Sequence, residues 1–361
     1  MQTPLDDLIR AVELDAMPRS QCPEEWTNVW RALPWQPVAY AASMLDYQQM
    51  YMRSAGWTVA DLAMVLYCDR RPCGLWPLTV SGPPGALRVT SSGGAILPPL
   101  LLPNLARRTV KRMLTRTLAL IHRIGNTEGV STAVLEQSPQ LSNESIGTTE
   151  WHRLLMEQGS TPTVRHDLYL DLRPEINEIR AGVRKSYRPL ISSGSGLWRV
   201  FVMDGAAQST QDWSDFQTLH AAVSGRITRD AESWGRQLRM IKDNEAILVG
   251  LRDPSTERLV GGGFFQFTRD ESLYSVGAYD RTLFDKPLGH VVQWRGIQEL
   301  KARGVRWHRV GERMFPQDSP SPTKKQSAIV AFKEGFASHL LARFEFVLPA
   351  RGLSPAIESD E

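Results

Sequence analysis

Near the C-terminus the chain reads AIVAFKEGFASHLLARFEFVLP over residues 328–349, with Ile329, Phe332, Phe336 and Leu340 at intervals of three and four. That spacing predicts a helix running into a strand, with Lys333 at the border of the apolar face. Lys333 is then one of two things: a lysine whose stem covers apolar surface while its head stays wet, or a cation held against aromatic rings for chemistry. A longer helix is predicted from LARRTVKRMLTRTLALIHRIG, where Val110, Met113, Leu114 and Ile121 share one face and a glycine closes the end. Its other face carries Arg107, Arg108, Lys111, Arg112 and Arg116, and residues 104–125 contain no acidic side chain. Such a stripe is either a solvated face or a surface for phosphates.

The same order of elements occurs twice, over residues 62–135 and 246–312. LAMVLYCDRRPCGLWPLTV and AILVGLRDPSTERLVGGGFFQF both read as strand, charged turn, strand. Each is followed by a further strand (ALRVTSSGG, ESLYSVGAYD), a proline-containing loop, a helix closed by glycine and a last strand (VSTAVLEQ, VRWHRVGE). In the second helix Val291, Trp294, Ile297 and Leu300 mark the buried side. A duplicated α/β unit with mixed sheets follows, with the active cleft expected where the strand order splits. The arrangement resembles two GNAT acyltransferase domains in tandem. Expected boundaries are 1–160 and 161–350, with an acidic, disordered tail at 351–361.

Most GNAT enzymes hold the acetyl-CoA pyrophosphate in a glycine-rich nest ahead of a helix, because several backbone N–H groups must point at one anion. The segment DRTLFDKPLGHVV has one glycine, and SSGGAILPPLLLPNLA places its glycines before a proline-rich loop. Neither fits a nest, which disfavours acetyl-CoA. GGGFFQF, residues 261–267, suits a strand approached closely by another backbone or side chain better than it suits phosphate binding.

Between the halves, RAGVRKSYRPLISSG gathers Arg180, Arg184, Lys185 and Arg188 around Tyr187. The cluster either meets a phosphorylated ligand, with the tyrosine as stacking face, or complements a helix end. Further on, His220, Arg226, Arg229 and Trp234 surround an inter-helical turn broken at Ser224–Gly225. His220 is a proton acceptor near neutral pH or a satisfied core histidine. No nucleophile elbow, Walker loop, zinc spacing or dinucleotide fingerprint is present.

Composition narrows the class. The chain of 361 residues is 42% hydrophobic and 22% charged, as expected of a folded protein of about two domains. No apolar run reaches the roughly 18 residues of a membrane span, and the charged, amphipathic N-terminus is unlike a signal peptide, so a cytoplasmic location without integral membrane contact is expected. A net charge of +3 does not by itself announce a nucleic-acid binder. The three cysteines, Cys22, Cys68 and Cys73, come without a histidine cluster; Cys68 and Cys73 bracket a turn, and no metal is expected.

Four segments, in order, resemble the Fem family of transferases and their FemAB-like relatives: DLYLDLRPEINEIRAGVRKSYRPLISSGSG, GRITRDAESWGRQL, YSVGAYDRTLFDKPLGHVVQWRGIQELKARGVRWHRVGE and AFKEGFASHL. The likeness is best over residues 165–345. It implies tandem GNAT-like domains that move an aminoacyl group from aminoacyl-tRNA to an amine, on a peptidoglycan precursor or a small molecule, without a bound cofactor. An acyl-CoA-dependent N-acyltransferase acting on an amino sugar or other small amine is the alternative, and a non-catalytic binding module a third reading. In the family, the aromatic of an FKxxFGG-like helix lies near the terminal adenosine and the lysine stabilises the reaction centre; the matching residues are Phe332 and Lys333. Ala337 and Ser338 stand where two glycines are common. The resemblance thus assigns Lys333 to the oxyanion; for proton removal the candidate is Asp280, in GAYDR at the end of the expected central strand, with Glu136 at the end of the matching first-half strand its counterpart. Donor contacts fall to Phe332, Arg184, Lys185, Tyr187, Arg188, Arg108 and Arg112, and acceptor contacts to Arg226, Trp234, Tyr279 and His220.

Overall fold

The computed structural model describes residues 5–127, 129–139, 141 and 149–349; the expected acidic tail lies outside these. In chain order the elements are α1 (Leu5–Ala11), β1 (Ala16–Pro18), α2 (Pro23–Ala32), α3 (Ala42–Ser54), β2 (Thr58–Asp61), β3 (Met64–Cys68), β4 (Arg71–Trp76), β5 (Thr79–Gly82), β6 (Leu87–Thr90), β7 (Leu100–Leu101), α4 (Arg107–Gly125), β8 (Val130–Thr132), β9 (Leu135–Gln137) and α5 (Glu150–Glu157). There follow β10 (Thr161–Asp171), α6 (Ile176–Gly182), α7 (Tyr187–Leu197), β11 (Arg199–Met203), α8 (Thr210–Ser224), α9 (Ala231–Lys242), β12 (Ala246–Arg252), β13 (Leu259–Phe267), β14 (Glu271–Tyr279), α10 (Leu288–Ala302), β15 (Trp307–Arg313), α11 (Lys324–Glu334) and β16 (His339–Val347). The chain divides into two compact units: Met1–Trp35, Ala55–Val164 and Arg343–Glu361 form the first, Gln36–Ser54 and Arg165–Ala342 the second.

In the first unit the expected hairpin forms between β3 and β4, its turn made by Asp69 and Arg70, both at positive φ. The next strand departs from expectation. GLWPLTV does not run through, because Pro77 offers no N–H to a ladder, and the stretch breaks into β4 and β5, which enter different sheets. The result is two four-stranded sheets, β1-β3-β4-β7 and β2-β5-β6-β8. Across α4, β6 and β8 pair in parallel over Leu87–Val89 and Val130–Thr132. Helix α4 buries Met113, Leu114, Leu118 and Ile121 in a core with Trp76, Trp151 and Phe346, and keeps Arg107, Arg108, Lys111 and Arg112 exposed.

The second unit holds the uninterrupted version of the same plan. Strands β11 to β14 form an antiparallel meander; α10 then crosses over, and β15 pairs in parallel with β14 and antiparallel with β10. The glycine run lets helices close on both faces of β13. A Cβ on Gly262 would lie 3.0 Å from Phe216 of α8, and one on Gly263 2.7 Å from Val292 of α10. Since neighbouring strand residues face opposite ways, α10 covers one face and α8 the other. One core gathers around Phe265, Val292, Ile297 and Tyr187, another around Trp213, Phe216, Trp234 and Phe264. Segment 36–54 joins this unit through buried polar bonds: Gln36 N donates to Asp270 at 2.8 Å and Val38 N to Glu271 at 2.7 Å. Burial raises the Glu271 pKa, and Tyr169 donates to its other oxygen at 2.9 Å.

Candidate active site

Strands β14 and β15 pair only over Glu271–Leu273 and Trp307–Arg309, and then part. Lys333 enters there from α11, a helix started by a capping box between Thr323 and Gln326. A Cβ on Gly311, just past the last paired residue of β15, would lie 2.7 Å from the Lys333 Nζ, so glycine makes room for the ammonium. Nζ lies 5.5 Å from the centre of the Tyr274 ring, in cation–π range. No carboxylate forms an ion pair with it among the described residues. Burial, and then Arg309, lower its pKa from the ordinary lysine value. Arg309 itself pairs with the buried Asp167 at 2.8 Å.

Three further groups line the split. His308 is fully buried, with Nδ1 2.9 Å from the Ser272 hydroxyl and Nε2 without a partner among the described residues. Burial, with Lys333 nearby, lowers its pKa to about 3, so the imidazole is neutral at physiological pH. The hydroxyls of Tyr274 and Tyr279 lie 2.9 Å apart, and burial raises the Tyr274 pKa to about 12. A Cβ on Gly277 would fall 1.9 Å from the Tyr274 hydroxyl; only glycine leaves space for this pair.

Beside Lys333, Phe332 belongs to an aromatic cluster. Tyr187 meets His290 edge-on at 4.5 Å, Phe332 meets His290 at 5.1 Å, and Phe336 lies 5.3 Å from Tyr187. Gly335 permits it, since a Cβ there would be 2.2 Å from the Tyr187 ring. Arg184 holds the tyrosine: its guanidinium donates to the phenol oxygen at 2.9 Å and its N–H to the Gly335 carbonyl at 2.9 Å. The Phe332 ring lies against Gly289 in the first turn of α10, where an added Cβ would be 3.0 Å away. An aromatic wall, without a glycine nest, therefore stands at this helix start.

The other sequence-derived candidates scatter. Asp280 caps the turn after β14: it accepts from Thr282 N at 3.0 Å and Thr282 Oγ1 at 2.7 Å and pairs with Arg258 at 2.8 Å. The Thr282 bonds lead in lowering its pKa, so its lone pairs are committed and the carboxylate is a weak base. Glu136 is buried against Arg343 at 3.0 Å. Arg188 turns back to donate to the Val183 carbonyl at 3.0 Å and to that of Ala181, closing α6. Lys185 and Arg226 are exposed, as are Arg108 and Arg112 on α4 of the first unit. His220 and Trp234 lie together between α8 and α9. The predicted face of the C-terminal helix needs correction. The helix stops at Glu334, Ile329 is 45% and Leu340 47% exposed, and the buried positions are Val330 and Phe336. Ser338, in place of a glycine, starts β16 by donating its N–H to the Tyr169 carbonyl at 2.9 Å.

Sequence reasoning missed Arg309, His308, Tyr274 and His290 as site residues. WHRVGE offered a signal, since its strand ends beside the split; His308 and Arg309 alternate there, and Gly311 follows.

A sheet that splits after one parallel crossover, present in both units, defines a tandem GNAT fold. No protein-family model matches the sequence, and no curated protein does. Among solved structures, FemX is similar with a TM-score of 0.63 and 12% identity, over 92% of this chain and 97% of that one. A tandem GNAT protein from the clavulanic acid biosynthesis pathway is similar with a TM-score of 0.53 and 14% identity, over 92% and 98%. The C-terminal domain of a lysylphosphatidylglycerol synthetase, described as putative, from Agrobacterium fabrum is similar with a TM-score of 0.57 and 12% identity, over 92% of each chain. Among the described residues no helix is long and apolar enough to cross a membrane, and no cluster of His, Cys, Asp or Glu could hold a metal ion.

Proposed function

We propose that this protein is a transferase that takes an aminoacyl group from aminoacyl-tRNA and forms an amide on an amine acceptor. The observation that carries the reading is Lys333, a half-buried ammonium without a carboxylate partner among the described residues, at the point where β14 and β15 part. Its fit to Gly311 and the Tyr274 ring holds the charge in place before reaction. The aminoacyl ester is already activated. The acceptor nitrogen attacks the ester carbonyl, the new C–N bond forms, the ester C–O bond breaks, and the amine's proton ends on the departing ribose oxygen. Negative charge gathers on the carbonyl oxygen midway, and a fixed cation in a drier site stabilises it by ~3 kcal/mol.

Two features support the donor assignment. Phe332, partly exposed and backed by the buried Tyr187 ring, offers ring surface next to Lys333, suited to a terminal adenosine. Phe332 also packs on the first turn of α10, where an acyl-CoA pyrophosphate would need open backbone N–H groups. Among the similar structures, lysylphosphatidylglycerol synthetase carries an aminoacyl group in the name of its product, and FemX shares the Fem name reached from the sequence segments. The test supplies aminoacyl-tRNA with labelled amino acids and a panel of amines, with and without ribonuclease, and compares an acyl-CoA donor. Amide formed only with intact tRNA supports the reading; transfer from acyl-CoA, untouched by ribonuclease, overturns it.

A further inference from the structure

Between α8 and α9 lies a cavity of about 540 Å³, lined among others by Trp213, Gln217, His220, Arg229, Trp234 and Leu238. Its electrostatics are unusual for an apolar recess. Arg229 is half-buried and forms no ion pair among the described residues. Its guanidinium is nevertheless fixed: Nε donates to the Tyr47 hydroxyl at 2.9 Å, and NH1 to Thr228 Oγ1 at 3.1 Å and to His220 Nε2 at 3.3 Å. The Trp234 and Tyr51 rings lie 5.1 and 5.3 Å from its central carbon. NH2 keeps its hydrogens unused among the described residues.

His220 adds no charge. Arginine only donates, so Nε2 must accept, and burial followed by Arg229 lowers the histidine pKa. The Trp213 ring lines the cavity as apolar wall and is 4% exposed. The cavity therefore presents one net positive charge and ring-sized apolar walls. One cation matches a monoanion; a phosphate dianion would call for more.

We propose that this cavity binds the carboxylate of an amino-acid-like acceptor, with Arg229 NH2 as donor and Trp213, Trp234 and Leu238 around an aromatic or branched apolar side chain. Calling the ligand an acceptor rests on the transferase reading; the binding site does not. The volume suits one such ligand.

Calorimetry on the full chain, without any donor, uses 3-phenylpropionate as probe, its neutral amide, and phenyl phosphate. The carboxylate is expected to bind at least tenfold more tightly than the amide, and Arg229→Gln to remove that difference. A Cβ on Gly235, also in the lining, meets nothing within 4 Å, so Gly235→Leu fills the space without a clash in the helix and should abolish binding even if Arg229→Gln folds poorly. Equal affinity for acid and amide, unchanged binding in Gly235→Leu, or tighter binding of phenyl phosphate overturns the site. Carboxylate binding without acceptance of phenylalanine in the transfer assay overturns the acceptor role and leaves the transferase reading standing.

Discussion

The two units share a crossover, and the contents of their splits differ. In the first, β6 and β8 pair in parallel over three residues, as β14 and β15 do in the second. The first unit carries a buried hydroxyl network at the end of β6, shared with β5: Thr90 Oγ1 lies 2.6 Å from Thr79 Oγ1 and 2.7 Å from Ser81 Oγ and accepts from Gly93 N at 3.2 Å. The second unit holds at its split an ammonium, an imidazole nitrogen without a partner among the described residues and two tyrosine hydroxyls. A satisfied network stabilises a fold, whereas groups held short of their partners await a ligand. On the proposed reading, one copy does scaffold work and the other the chemistry.

The largest effect expected from this contrast is acid sensitivity due to His308. Its folded pKa is about 3, against an ordinary 6.5, so between those values the unfolded chain binds a proton that the native one refuses. Stability is therefore complete above pH 6.5 and falls as the pH drops toward 3, by on the order of 4 kcal/mol from this group. Denaturant melts at pH 7 and pH 4 should show a smaller loss for His308→Asn than for the parent; an equal loss would mean that the imidazole is not held neutral.

Next comes Lys333→Met. The aminoacyl transfer rate should fall about 100-fold, the loss of ~3 kcal/mol of oxyanion stabilisation, with stability equal or higher because a buried cation has gone. Thr90→Val is its mirror in the first unit. It strands the Ser81 hydroxyl and the Gly93 N–H, while Thr79 keeps the Thr90 carbonyl and the Ser92 N–H, and should cost about 1–3 kcal/mol of stability with kcat unchanged. If the two variants exchange phenotypes, the division between scaffold and chemistry is wrong. The pH profile gives a sign as well. A cationic role predicts a rate that declines as pH rises through the lowered pKa of Lys333, short of the ordinary 10.5; a rate that climbs through that range makes the lysine a base.

How much of this was legible in the sequence follows from the range of each interaction. The element order, the basic face of α4 and the close approach at GGGFFQF are local patterns, and the chain displays them directly. Lys333 was visible only through its resemblance to a family helix, because the apolar spacing around it misleads: Ile329 and Leu340 keep the period yet lie in solvent. The helix ends at Glu334, and Phe336 turns inward after a glycine that Tyr187, some 150 residues earlier, requires. Arg188 and Asp280 read as free charges because capping partners are set by backbone geometry that composition does not encode. His308 and Tyr274 were missed because a histidine or tyrosine in a strand is ordinary until the neighbouring strand departs.

Gly335→Ala sharpens the comparison at the aromatic cluster. The new methyl would fall 2.2 Å from the Tyr187 ring, and that ring, fixed by Arg184, must shift. Overpacking of this kind costs about 1–3 kcal/mol. The predicted signature is a raised KM for aminoacyl-tRNA with a smaller change in kcat, since the ring surface is displaced while Lys333 stays in the split. A fall in kcat at constant KM would detach the cluster from the donor.

The smallest effect belongs to the exposed stripe of the first unit. Arg108 and Arg112 have no ion pair among the described residues, whereas Arg116 is tied to Glu13 at 2.6 Å. If the first unit contributes charge to tRNA binding, Arg108→Glu with Arg112→Glu removes two phosphate contacts, and the slope of log affinity against log salt should become shallower by about 2. Fluorescence anisotropy with labelled tRNA at several salt concentrations reads this directly, with kcat at saturating donor unchanged. An unaltered slope would return α4 to a solvated face and leave the first unit with the hydroxyl network alone, making the contrast between the copies sharper still.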